Sequence, residues 1–188
     1  MSSTPDDRST RHSVLTTARR TADLVNVLTG DPEPAEVADV LRAYGETDPF
    51  DLSARDVTEM RAAAALLHEV FAAEDTDTAA SALNRLLRAH TGPLRLSSHD
   101  GATPWHPHLD HADDAPWAEW FLASSCMALT VLVWDRQRPP GGVCASPGCD
   151  NVHVTQGSGP PRRYCSRRCA TRERVAAHRR ARAAREAG

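Results

Sequence analysis

Four cysteines close to the C-terminus constrain this chain more than any other feature. They stand as Cys144-Ala-Ser-Pro-Gly-Cys149 and, after fifteen intervening residues, as Cys165-Ser-Arg-Arg-Cys169. Each pair, closed by a short polar spacer, is a bidentate clip, and the loop between them can bring the two clips to one point. Pro147-Gly148 supplies a tight turn inside the first clip. Cys165 and Cys169, four apart, share one face at the start of a helix, where the dipole favours thiolate. Four thiolates close a tetrahedral sphere. One structural Zn²⁺ is therefore expected, held by Cys144, Cys149, Cys165 and Cys169. His153 and His178 are left out because sulfur already fills the site. The fifth cysteine, Cys126, lies in an apolar helical pattern and reads as core.

The 188 residues suit one helical body and a small appendage. A body of about 130 residues can bury a core, whereas a finger of about 40 residues depends on its metal. The N-terminus lacks the charged-apolar-cleavage pattern of a signal peptide. The longest apolar run, Phe121 to Trp134, is interrupted by serine and threonine and is short for a bilayer. A soluble, cytoplasmic protein is expected, in a compartment where thiols stay reduced.

Periodicity divides the chain. Residues 1–12 are polar and expected to be disordered, 13–138 form the helical body, 139–143 (Pro-Pro-Gly-Gly-Val) a linker, and 144–188 the finger and its helix. Within the body, helical spacing runs from Ser13 to Leu28, from Ala35 to Tyr44 and from a Ser53/Asp56 capping box to about Glu74. Another helix, capped by Thr76 or Asp77, stops near Gly92. Leu94 to Leu109 alternates around Asp100-Gly101 and reads as one hairpin. A helix capped by Asp113 or Asp114 then runs to Arg136, apolar nearly all round, as suits the middle of a bundle. The fold class is mainly α, a helical bundle with one β-hairpin. In the finger, Val152-His-Val154 and Arg162 to Tyr164 look like two strands about the Gly157-Ser-Gly turn. Knuckle, hairpin and ligand-bearing helix make a treble-clef-like layout.

Charge is divided just as sharply. From Arg162 to Gly188 ten arginines face two glutamates, a net +8, whereas residues 1–161 carry −11. Such asymmetry points to a polyanionic partner for the basic end, or to the acidic body docking the tail in cis. At about 100° per residue, Arg168, Arg172, Arg179 and Arg182 fall on one stripe and Arg167, Arg174, His178 and Arg185 on its neighbour. Arg167, Arg168, Arg172, Arg174 and Arg179 are the candidate phosphate contacts. The helix carries no aromatic residue for base stacking.

These residues resemble the CGNR zinc finger: Cys-Ala-x-Pro-x-Cys, Arg-Arg-aromatic-Cys-Ser, a last cysteine with its arginine, then Val-Ala-Ala-His-Arg-Arg. In that family the finger follows a helical domain called ABATE, and the proteins are described as stress-induced transcription regulators. Ala22-Asp-Leu-Val-Asn26 is similar to the family's Leu-Val-Asn-Thr start. The signature itself reads Cys169-Ala-Thr-Arg172 here, with Ala170 and Thr171 in place of glycine and asparagine. The resemblance implies a mainly helical body, one zinc and DNA binding.

The remaining motifs point to no enzyme: a nucleophile-base pair, a phosphate-cradling glycine loop and an HExxH helix are all missing. His99, His106, His108 and His111, with Asp110, Asp113 and Asp114 nearby, read as a polar hairpin edge; the competing reading is a transition-metal site. Trp105, Trp117, Trp120 and Trp134 read as core. The chain is thus expected to be a zinc-binding transcriptional regulator that binds nucleic acid, DNA before RNA. Its body would sense a small ligand, form a homodimer or contact another protein. The alternative is a protein-interaction module whose finger is purely structural.

Overall fold

The computed structural model describes residues 14–46, 49–155 and 162–186. The N-terminal segment 1–12 and the glycine turn of the finger lie outside them. Four helices come first: α1 (Val14–Leu28), α2 (Pro34–Ala43), α3 (Ala54–Phe71) and α4 (Thr76–His90). A hairpin follows, β1 (Arg95–Ser97) with β2 (His106–His108), then α5 (Trp117–Arg136). A second hairpin, β3 (Gly141–Val143) with β4 (Val152–Val154), precedes α6 (Arg167–Glu186). The fold is mainly α, as expected.

Local chemistry sets the helix ends. Ser53 and Asp56 form the expected reciprocal box, with the Asp56 carboxylate accepting the Ser53 N–H at 2.8 Å. The cap of α4 is Asp75, one residue earlier than expected, because its carboxylate reaches the Thr78 N–H at 2.7 Å. Neither Asp113 nor Asp114 caps α5. That helix starts after Pro116, and Asp113 turns instead to the first hairpin, accepting from Ser97 Oγ at 2.6 Å and from Arg95 at 2.5 Å.

The core lies where α5 meets α1, α3 and α4. Leu24, Val25, Met60, Leu67, Val70, Phe121, Cys126 and Leu129 are shut from solvent. At 20 residues α5 is long and apolar enough to cross a membrane, although its uninterrupted apolar run is short. Its all-round apolarity is used here to touch three helices at once. Burial of Cys126 pushes its thiol up to about 12, in keeping with a packing role. Two tryptophans depart from expectation. Trp117 and Trp120 pack on the core, but Trp105 and Trp134 are 72% and 75% exposed, one beside a hairpin edge and the other on the outer side of α5.

The segment expected as a linker is structural. Gly141, Gly142 and Val143 pair antiparallel with Val154, His153 and Val152, so β4 takes its partner from before the first cysteine and not from residues 162–164. This hairpin packs on α1 and α3, and Val152 and Val154 join the core of the body. Glycine is required at 141, because a Cβ there would meet the His153 carbonyl oxygen and come within 2.7 Å of the Phe71 ring.

Candidate metal centre

Val143 leaves β3 directly into Cys144, whose N–H donates to the Asn151 carbonyl at 2.8 Å. The first clip then turns through Gly148, which has φ +70°, and closes with Cys149 N–H donating to Ser146 O at 3.1 Å. The second clip is stitched to the first by Ala145 N–H donating to Arg163 O at 2.8 Å. Cys165 precedes α6 and Cys169 lies in its first turn. Between them Ser166 acts as the N-cap, its Oγ accepting the Cys169 N–H at 3.2 Å.

The four sulfurs lie within 4.8 Å of one another. Cys149 to Cys165 is 3.7 Å, Cys165 to Cys169 is 3.8 Å and Cys169 to Cys149 is 3.9 Å. A disulfide would place two sulfurs about 2.0 Å apart. Tetrahedral zinc with Zn–S bonds of about 2.3 Å places them about 3.8 Å apart. The donor set therefore fits one zinc ion, bound by sulfur alone and closed to substrate. Local fields differ across the cluster. The Ser166 hydroxyl draws the Cys169 thiol down to about 7, whereas burial pushes Cys165 up to about 12.

Around the metal ligands lies a ring of bonds that sequence reading missed. Arg172 donates to Ser146 Oγ through Nε at 3.0 Å and through a terminal nitrogen at 2.6 Å. The same terminal nitrogen is 3.9 Å from Cys169 Sγ. Ser146 donates in turn to Glu173 at 2.6 Å. Arg172, a candidate phosphate contact in sequence, is thus turned onto the knuckle, where its charge offsets thiolate. A serine between two cysteines looks like spacer; its burial (2% exposed) emerges only when α6 folds back over it.

Beyond the first turn α6 is exposed except at half-buried Glu173 and Ala176, and among the described residues no other helix or strand packs against it. Arg167, Arg168, Arg174 and Arg179 all face solvent. Arg174 donates to Thr171 Oγ1 at 3.2 Å, so the threonine that replaces the signature asparagine orients an arginine.

Of the four hairpin histidines, His99, His106 and His108 come together, with one nitrogen from each inside a 4.8 Å cluster. His111 is not part of it and pairs with Glu119 at 2.7 Å.

No curated protein matches this chain. Residues 142–182, which include all four cysteines, the Arg172 contacts and most of α6, match the CGNR zinc finger family.

Proposed function

We propose that the finger and α6 bind nucleic acid, DNA before RNA, and that the protein regulates transcription. The single observation that carries this reading is the bare state of α6. A helix with eight arginines and two glutamates, against which no other helix or strand packs among the described residues, gains little from its own fold beyond its first turns. Its charge suits a sugar-phosphate backbone, with Arg167, Arg168, Arg174 and Arg179 on phosphate and Arg172 holding the finger together. Zinc contributes by fixing where α6 leaves the body. The helical body serves as the sensing or partner-binding part, in the manner of an ABATE domain, and the site of action is the cytoplasm. The chain carries out no catalysis in this reading.

The experiment is fluorescence anisotropy of zinc-loaded protein on random duplex and single strands across a salt series. Four phosphate contacts give a slope of log K on log salt near −3.6, roughly −0.9 per contact. A slope near zero overturns the reading.

A second reading is favoured by the β3–β4 hairpin, which is built into the core. In it the finger is a structural cap and the protein is an interaction module without affinity for nucleic acid. Deletion of residues 174–188 spares every cysteine. Lost duplex retention supports the first reading, and unchanged partner binding the second.

A further inference from the structure

The histidines gathered at the first hairpin are arranged as ligands. In β2, His106 and His108 alternate and so point to the same side, with ring centroids 4.5 Å apart. His99 reaches them from the hairpin tip, its ring centroid 5.2 Å from that of His106 and 5.0 Å from that of His108. The backbone enforces this approach. His99, Asp100 and Gly101 all have positive φ, at 47°, 54° and 83°, and this left-handed run folds the tip back over the strand.

Outer partners fix which nitrogen of each ring is available. His106 Nδ1 lies 2.8 Å from the Pro104 carbonyl oxygen. A carbonyl only accepts, so Nδ1 carries the proton. His108 Nδ1 lies 3.1 Å from the buried Asp110 carboxylate, which only accepts when ionised, so there too Nδ1 carries the proton. In the neutral rings the Nε2 atoms then both present lone pairs, and they face each other at 2.9 Å. Two lone pairs repel at that distance unless a positive charge lies between them. His99 also stands beside a carboxylate, its Nδ1 3.4 Å from Asp113, and gives one ring nitrogen to the cluster. Asp110 and Asp113 are themselves both held by Arg95, at 2.5 Å each. Histidines steadied from behind by carboxylate or carbonyl, with their other nitrogens converging, form the outer-shell arrangement of metal sites.

One shared proton could bridge two imidazoles, but it gives a third no reason to converge. A four-coordinate ion with metal–nitrogen bonds of about 2.0–2.1 Å places its ligands roughly 3.3 Å apart. A small rotation of the rings reaches that spacing from 2.9 Å. The three histidines also border a cavity of about 340 Å³, shared with Arg20, Thr103 and Trp120. Arg20, 8% exposed, is turned to Glu46 and Ser124 in that cavity wall.

We infer that His99, His106 and His108 form a second metal site in the helical body, for a divalent first-row transition ion that prefers imidazole, with a fourth position open to the cavity. It is separate in position and chemistry from the four-sulfur centre, and does not depend on nucleic-acid binding.

The test uses the full chain saturated with Zn²⁺, freed of loose metal and counted by mass spectrometry alongside protected thiols. The expected result is two zinc ions per chain in the native protein and one in His99→Asn/His106→Gln, with four thiols protected in both. Asparagine is chosen at 99 because it tolerates positive φ. One zinc in the native protein, or equal zinc in both proteins, overturns the inference. A Co²⁺ titration of the native protein serves if the variant does not fold. Two spectral phases are expected, one with thiolate charge transfer and one without; a thiolate phase alone overturns it.

Discussion

Asn26 holds both backbone polar groups of Val152: its side-chain amide donates to the Val152 carbonyl at 3.0 Å and accepts the Val152 N–H at 2.6 Å. One residue of α1 thus acts as a partner strand for β4, 126 positions away. This clamp seats the finger hairpin on the body, and Val152, 1% exposed, has little access to water to replace it. Asn26→Ala should cost about 2–6 kcal/mol, since two buried backbone groups lose partners at roughly 1–3 kcal/mol each. Urea unfolding measures the loss, and faster zinc release to a chelator should accompany it.

Gly141 tests whether the finger and body form one packed unit. Gly141→Ala forces a methyl group into Phe71 and the His153 carbonyl. Overpacking of this kind costs roughly 1–3 kcal/mol. If residues 139–143 were a free linker the substitution would be silent in thermal melts.

Arg172 and its neighbours on α6 should separate by assay. Arg172→Ala removes the ties to Ser146 and Cys169 and should speed zinc release while barely changing the salt slope of duplex binding. Arg168→Ala should leave zinc release unchanged and reduce the slope by about 0.9. The reverse pattern would assign the two roles the other way round.

Chelation of zinc should act unevenly. α6 is anchored through Cys169 and its first-turn contacts, and among the described residues no helix or strand packs beside it. Most helical stability in proteins comes from packing one face against the fold, and α6 has little of it. Far-UV circular dichroism should lose helical signal, while the near-UV signal of Trp117 and Trp120, packed on the core, persists.

Acid should weaken the finger hairpin through His153. Burial holds this imidazole below its usual 6.5, helped by the nearby Arg162 charge. Its Nε2 donates to the Arg162 carbonyl at 2.7 Å, and its Nδ1 is buried without a partner. A depressed value means that the unfolded chain binds the proton more readily. The contribution is complete above pH 6.5 and declines as pH falls through the lower folded value. His153→Gln can retain the donor without the titration. At saturating zinc it should show a flatter acid limb in urea unfolding below pH 6.5; equal slopes would reject the assignment.

The sequence by itself determined the helices and the zinc ligands. Both follow from local rules: the Ser53 box and the apolar spacing of α1 and α3 act within a few residues, and paired cysteines carry their geometry in their spacing. Tertiary structure decided the remainder. That Gly141 to Val143 becomes a strand depends on α1 and α3 offering a surface, and on Asn26 meeting Val152. That Arg172 turns to the metal depends on a serine 26 positions earlier. That His99 joins His106 and His108, while His111 leaves for Glu119, depends on a left-handed hairpin tip and the start of α5. None of these contacts has a periodic signature, because each joins groups from separate elements whose meeting is set by packing.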